Sequence, residues 1–506
     1  MKSPNSHHQA IAPRLAILGA TLLLCSCASF KGITTEAKLR DSADYASRHT
    51  LPEQGGQWPG LDWAAQLGGA PLQALVEEAL ADSPNLQVAA ARVAAARAAV
   101  ENARGATLPT VGAQASSTYQ RFTQTGLYPP PLAGGWYTDS LLALNFSYEL
   151  DFWGQHEAEL RAALSQGRAA QAEQYSARLV LTVSIARTWL QLGRQQAQLD
   201  LTQQQIALRE RLGKLNALRF AAGLDTQSEN EATRQQVSTL RAEAAQWQEA
   251  IALSRNQLAA LLGKGPDRGL AIAAPQLPSD AELALPDALP LELLGRRPDI
   301  VATRWRVEAA QGEIESARAQ FYPNVNLNAF VGLSSLELSK LLTSESRVLG
   351  IGPALRLPVF EGGRLRAQLK GRVAGYENAV ATYNQTLSDA LREVADAVQS
   401  LRGAQVQGAE QRAATQAAAN SLTLARQRER AGTSNMLPVL ASEMSLLSQK
   451  KIELDNRARR AELRVALIRA LGGGFDAAAA GLSPQPQPAQ TGQDRQTRLS
   501  NPKSAS

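Results

Sequence analysis

Histidine, cysteine and long apolar runs are scarce in this chain. Of its 506 residues, two are cysteine and four are histidine. Beyond the first 28 residues the only histidines are His49 and His156, far apart in sequence. The His, Cys and Cys/His constellations that hold metals or build nucleophiles are therefore nearly absent. No GxxxxGK[ST], HExxH or GxSxG occurs. Carboxylates are plentiful but scattered through helical runs, where they read as solvated faces. An enzyme is not expected, and neither a metal nor a cofactor. No dense Lys/Arg run is present either. The net charge of +6 falls to +4 without Lys2 and Arg14, which argues against nucleic acid as a partner.

The apolar run Leu15 to Leu24 is too short for a helix that spans a bilayer, but it suits a secretory signal behind the basic Lys2 and Arg14. It ends in Leu24-Cys25-Ser26-Cys27, a bacterial lipobox in type. Cys27 fits as the lipidated residue better than Cys25, because Ser26 before it is small and Leu24 is not. Cleavage before Cys27 leaves one cysteine, so no disulfide is expected in the exported chain. By resemblance to bacterial lipoproteins, Ala28 rather than Asp after Cys27 implies sorting to the outer membrane. At the other end, the Pro-, Gln- and Ser-rich stretch that closes the chain is expected to be disordered.

What the chain does have is a duplication. Gly154, Gly223 and Gly263 recur 209 residues later as Gly363, Gly432 and Gly472. Upstream, Pro84, Arg92, Arg104 and Pro109 recur 214 residues later as Pro298, Arg306, Arg318 and Pro323. The change of offset falls between residues 113 and 144, where TQTGLYPPPLAGG reads as a loop. Each copy reads as helix, strand, loop, strand, long helix, turn, helix. Pro84 and Pro298 open the first helix of each copy, and Ser83 can cap the earlier one.

Four strands are predicted, all alternating. The first sets Val111, Ala113, Ala115 and Tyr119 against Thr110, Gln114, Ser116, Thr118 and Gln120. The second runs to Phe152, with Leu142, Leu144, Phe146, Tyr148, Leu150 and Phe152 against Asn145, Ser147, Glu149 and Asp151. The third sets Val325, Leu327, Ala329, Val331 and Leu333 against Asn324, Asn326, Asn328 and Gly332. The fourth runs to Val359, with Leu349, Ile351, Leu355, Leu357 and Val359 against Gly350, Gly352 and Arg356. Period 2 at these lengths suits tilted membrane strands. Trp136, Tyr137, Phe152, Trp153, Phe321, Tyr322 and Phe360 gather at strand ends, where bilayer interfaces favour aromatics. Four strands leave two open edges, which lipid does not tolerate, and closed barrels start near eight strands. The barrel must be shared between copies of the chain. The strand number requires an oligomer without setting its order.

From Gln155 no proline occurs until Pro266, and Ala, Gln, Arg, Glu and Leu dominate. A continuous helix from Gln155 to Ala221 would be about 100 Å long, with a return helix from Asp225 to Leu262. The second copy repeats the pair from Arg364 to Arg430 and from Asn435 to Leu471. Leu179, Val183, Ala186 and Leu190 mark one apolar stripe. A coiled-coil stalk would explain the helices. A water-filled tube, with a β-barrel passing into an α-barrel at Gly154 and at Gly362 and Gly363, explains the strands as well.

These residues carry a resemblance. Leu61-Asp62-Trp63, Tyr148-Glu149-Leu150-Asp151-Phe152-Trp153-Gly154, Leu293-Leu294-Gly295-Arg296-Arg297-Pro298-Asp299-Ile300, Ala317-Arg318-Ala319-Gln320-Phe321-Tyr322-Pro323, Pro358-Val359-Phe360-Glu361-Gly362-Gly363-Arg364 and Glu393-Val394-Ala395-Asp396-Ala397 resemble the outer-membrane factor family, the TolC-like and NodT-type efflux lipoproteins. The resemblance implies an α+β membrane protein and a homotrimer. Four transmembrane strands per chain would share a twelve-stranded barrel continuous with a long periplasmic α-helical barrel. It also implies partners, a periplasmic adaptor and an inner-membrane RND-type pump, and a lipid-anchored place in the outer membrane. The chain divides accordingly into a signal peptide (1–26), an anchored equatorial segment (27–69), a first repeat (70–263), an equatorial linker (264–291), a second repeat (292–472) and a disordered tail (473–506).

The family's periplasmic gate and adaptor-docking turns map to Gly223, Leu224 and Asp225 and to Gly432, Thr433 and Ser434. Asp225 and Ser434 are expected to cap the helices that follow. Where related channels carry an acidic ring, this chain has Pro438 and Ala441, and weaker cation preference is expected. Glu443 could substitute only in a different register. The expected function is a passive exit duct of a tripartite efflux system. A duct for type I protein secretion, and a lipid-anchored structural or adhesive stalk, are the alternatives.

Overall fold

A computed structural model describes residues 30, 32–40, 45, 56–273, 275–278 and 289–483. Cys27 and the residues after 483 lie outside these. The helices are α1 (Trp63–Asp82), α2 (Pro84–Gly105), α3 (Gln155–Ala221), α4 (Gln227–Leu261), α5 (Asp267–Leu270), α6 (Leu289–Arg296), α7 (Pro298–Ala319), α8 (Arg364–Arg430) and α9 (Met436–Ala470). The strands are β1 (Thr110–Arg121), β2 (Trp136–Leu150), β3 (Asn324–Ser335) and β4 (Arg347–Arg356). The duplication is plain: α2 and α7 have 22 residues each, α3 and α8 have 67, and α4 and α9 have 35.

The chain forms two compact units. The first comprises Met1–Arg40, Ala89–Gln171 and Trp305–Gln385. It holds the sheet, whose strands pair antiparallel in the order β1-β2-β3-β4. Its helical part closes over Ile33, Ile314, Phe321, Leu365, Leu369 and Val373. Here α7 approaches α3 closely: a side chain at Gly312 would meet the Ala158 carbonyl at 3.0 Å and Ala162 at 3.1 Å. Small residues on both helices permit that approach.

The second unit comprises Asp41–Val88, Ala172–Arg304 and Thr386–Ser506. One core gathers Trp63, Leu72 and Leu75 of α1 with Trp189 and Leu190 of α3, Leu258 of α4 and Val465 of α9. Val183, Ala186 and Leu190 of the predicted stripe are buried in it. A second core joins Leu293, Val394, Leu467 and Leu471. Between helices the contacts turn polar. Lys451 Nζ lies 2.5 Å from Glu243 Oε1, and Trp247 Nε1 donates to the same oxygen at 3.2 Å. Burial pushes the Glu243 carboxyl up, but these bonds outweigh it and hold the group below its ordinary range.

Helix α1 has no counterpart in the sequence reading. Gly69 breaks it with φ 67° and ψ −162°, and Pro71 follows, so its apolar pattern is interrupted. Two strands are shorter than expected. β2 stops at Leu150, because Asp151 turns from the pleat to serve the next helix. β4 stops at Arg356, leaving Leu357 and Val359 beyond the ladder. Disorder from residue 473 is also corrected for the described part of that stretch. Phe475, Ala477 and Leu482 are buried, and the Ala477 amide donates to the Gly295 carbonyl at 2.9 Å.

Candidate functional site

The sheet's register sorts its side chains into two unlike faces. One carries the rows Ala113–Leu144–Val331–Leu349, Val111–Phe146–Ala329–Ile351 and Leu150–Val325–Leu355. In the single chain Ile351 is 78% and Leu349 77% exposed, although both are large and apolar. The other face carries Thr110–Ser147–Asn328–Gly352 and Gly112–Asn145–Phe330–Gly350. Ser147 Oγ donates to Asn326 Oδ1 at 3.0 Å on that side. The outer strands β1 and β4 each present an unpaired edge among the described residues. A sheet that is apolar on one face, polar on the other and open at both edges is a segment of a larger wall.

The aromatic residues divide by role. Tyr119 stacks on Trp136 at 5.2 Å at the loop end of the sheet. Phe152, Trp153 and Phe360 are exposed at the helix end. Trp153 stacks on Tyr322 at 4.5 Å and donates its Nε1–H to the Pro323 carbonyl at 2.8 Å. These two levels match the interfacial belts expected from composition. Phe321 and Tyr137 do not belong to them. Phe321 is buried against Phe30, and Tyr137 donates its hydroxyl to the Pro131 carbonyl in the β1–β2 loop.

At the first strand-to-helix junction Asp151 is the working residue. Its carboxylate accepts from the Gln155 amide at 2.6 Å and the Glu157 amide at 2.9 Å. Two orphan N–H groups at the helix start are satisfied, and the charge meets the positive end of the α3 dipole. Gly154, with φ 71°, makes the reversal that lets Asp151 reach. Alternation by itself places Asp151 in the strand; its position just ahead of a helical run is the signal for a cap. His156 lies beside it, with Nε2 3.1 Å from Glu149 Oε1 and Nδ1 3.5 Å from Glu159 Oε2. The second junction uses Gly362 and Gly363, both with positive φ, and Arg364 pairs with Glu361 at 2.9 Å.

The two helix turns are built alike. The Leu224 amide donates to the Arg219 carbonyl and the Gly223 amide to Phe220. The Thr433 amide donates to Arg428 and the Gly432 amide to Glu429. Both are Schellman ends with glycine at the left-handed position. The expected capping residues are corrected by one place. The helices begin after Thr226 and Asn435, and the Asn435 side chain accepts from the Leu437 amide. Asp225 instead accepts from Arg219 Nε at 3.1 Å across the turn, and the Ser434 hydroxyl donates to the Asn435 carbonyl at 3.5 Å. Pro438 falls in the first turn of α9, where its missing N–H is tolerated. Glu443 lies 3.5 Å from Arg426 and 4.0 Å from Arg211, so two arginines balance it.

Arg297 belongs to the Arg296-Arg297-Pro298-Asp299 run, but its role rests on partners that no local pattern marks. Its side chain is 9% exposed. It binds Asp299 through two parallel bonds of 3.0 and 2.6 Å, Glu393 at 2.8 Å and the Ala470 carbonyl at 3.3 Å. Burial alone would lower its pKa, but the two carboxylates raise it beyond the ordinary arginine range. Among the described residues no group of three or more His, Cys, Asp or Glu side chains is placed to hold a metal ion. None of the described helices is long and apolar enough to cross a membrane.

This architecture has known counterparts. The crystal structure of the outer membrane protein VceC from Vibrio cholerae superimposes with a TM-score of 0.76 at 37% identity, covering 83% of this chain and 100% of that one. The fusaric acid resistance protein FusA of Burkholderia cepacia is 36% identical over 71% of this chain and 69% of its own. The multidrug resistance outer membrane protein MdtP of Shigella flexneri is 32% identical over 92% of this chain and 96% of its own. The sequence profile described as Outer membrane efflux protein matches residues 75–264 and 289–473. The chain belongs to the outer membrane efflux protein family.

Proposed function

We infer that this protein is the passive exit duct of a tripartite efflux system. Three chains pool their strands into one twelve-stranded barrel in the outer membrane. An inner-membrane pump, reached through a periplasmic adaptor, expels cargo into the duct. The observation that carries this reading is the open-edged, two-faced sheet: each chain supplies a wall segment that only further copies can close. No catalytic role is assigned to any residue. The names of FusA and MdtP support small toxic organic molecules as cargo.

The turns at Gly223, Leu224 and Asp225 and at Gly432, Thr433 and Ser434 are read as the periplasmic mouth and the adaptor's docking points. Pro438 and Ala441 on α9 carry no charge, and Glu443 is matched by Arg211 and Arg426, so these three positions supply no acidic ring. Purified protein in a planar bilayer is expected to conduct, and in a salt gradient its reversal potential is expected to stay near zero. Absence of conductance would sink the duct reading. Strong cation selectivity would sink only the account of the mouth.

Lipidation of Cys27 is consistent with the path of the segment that follows. Phe30 packs on Phe321 at 5.1 Å, and Ile33 enters the cluster of Leu365 and Leu369. Further on, the Arg40 amide donates to Asn384 Oδ1, and Asn384 Nδ2 donates to the Lys38 carbonyl. Phe360, at the helix end of the sheet, is 90% exposed. Cys27→Ala is expected to abolish metabolic labelling with palmitate while trimers still form, because the strap holds without its lipid. Retained label would move the anchor to Cys25.

A further inference from the structure

The polar face of the sheet has one large aromatic residue at its middle, Phe330. Its neighbours across the register are Asn145 and Gly350, with Gly112 next to Asn145. Gly352 and Gly332 lie on the same face, one row to either side. Small residues suit this face for a reason of size. Eight strands enclose a space that side chains fill, and sixteen leave an open channel. At twelve strands the inward side chains themselves decide the bore, so each large one matters.

Phe330 lies against the site where Gly350 has no side chain. A Cβ built on Gly350 would meet Phe330 Cε1 at 2.6 Å and Cζ at 2.7 Å, closer than real contacts allow. The ring is thus laid flat along the wall, over the space the glycine leaves, with about half of its surface still exposed. The backbone of Gly350 does not demand glycine: it is absent from the residues with positive φ. By contrast, a side chain on Gly332 would strike the Leu142 carbonyl and Ala143, so that glycine serves strand approach. Gly352 has open space where its Cβ would be.

We propose that Phe330 and Gly350 together set the girth of the bore at mid-barrel, and that Phe330 is a residue discriminating cargo by bulk. This rests on the polar face being the lining of the duct. Three chains place three such rings at one level. With glycine at 350 the rings lie along the wall. A methyl group at 350 forces each ring off its seat, and the axis is an open direction for it. Planar or bulky aromatic cargo would feel the change, and small cargo would not.

The test reads the barrel alone, independently of any constriction elsewhere. Asn328→Cys places a thiol on the polar face two residues from Phe330, toward the helix end. In intact cells it is labelled from outside by maleimides of increasing size, using the largest that still reacts in the Asn328→Cys protein. Adding Gly350→Ala is expected to slow that reagent about tenfold while the smallest reacts as before. Adding Phe330→Ala as well restores the rate. Should Gly350→Ala fail to assemble, Phe330→Trp is expected to slow the large reagent and Phe330→Ala to speed it. Equal rates across these variants would overturn the proposal. A thiol at 328 that no maleimide reaches would instead overturn the duct-lining reading beneath it.

Discussion

Arginine in place of Ile351 or Leu144 is expected to remove assembled trimer from the outer membrane. Both side chains stand on the apolar face, Ile351 beside Ala329 and Leu144 between Ala113 and Val331. A guanidinium on the lipid face of a barrel costs about 2–4 kcal/mol at mid-depth. A shared barrel repeats that cost in each of three subunits, about 6–12 kcal/mol in all, which is comparable with the whole margin of about 5–15 kcal/mol typical of folded proteins. Asn328→Arg is the control. It stands on the polar face opposite Gly352, where water solvates the charge and space is open. Heat-modifiable mobility on semi-native gels, together with membrane fractionation, distinguishes the two. Normal trimer with Ile351→Arg and none with Asn328→Arg would mean that the faces are reversed.

The second large effect is expected at Arg297. Its fork ties the start of α7 to Glu393 on α8 and to the end of α9 through the Ala470 carbonyl. Removing one partner of a buried ion pair costs about 3–5 kcal/mol. Asp299 and Glu393 keep about a third of their side-chain surface in solvent, so water recovers part of that loss. Arg297→Met is therefore expected to destabilise the protein by about 2–3 kcal/mol. Arg297→Lys keeps the charge but loses the paired geometry, and should recover less than half. Urea unfolding of the detergent-solubilised protein measures both. Arg296→Met is the internal comparison. That residue bonds Asp476 at 3.1 Å and lies 5.7 Å from the Trp58 ring; with about a third of its side chain in solvent, against 9% for Arg297, it should cost far less. Equal effects at 296 and 297 would show that the buried fork has no special weight.

Much of the fold was legible because its determinants are local. Proline at 84 and 298 and glycine at 223 and 432 act on their own backbone, so periodicity and punctuation place both 67-residue helices to the residue. Strand ends were less legible. Phe152, Leu357 and Val359 continue the alternation, but a ladder lasts only while a neighbour answers it, and β3 ends the pairing at Arg356. Among the candidate residues, the glycines of the turns and junctions were found because a left-handed backbone requires them. Arg297 and Asp151 were not, because their partners are separated from them in sequence or by a turn. The capping residues slipped by one place because Asp225 and Thr226, like Ser434 and Asn435, are all competent caps.

The sequence by itself determined the period of each segment, the duplication and the open-edged strand count that demands further copies. Those follow from the pattern of side chains along the chain, which any local stretch carries. Only the tertiary structure decided which residues share a row, that Phe330 lies over Gly350, and that Glu443 meets two arginines rather than standing alone. Register and ion pairing join residues distant in sequence. Their energies depend on distances that no linear pattern contains.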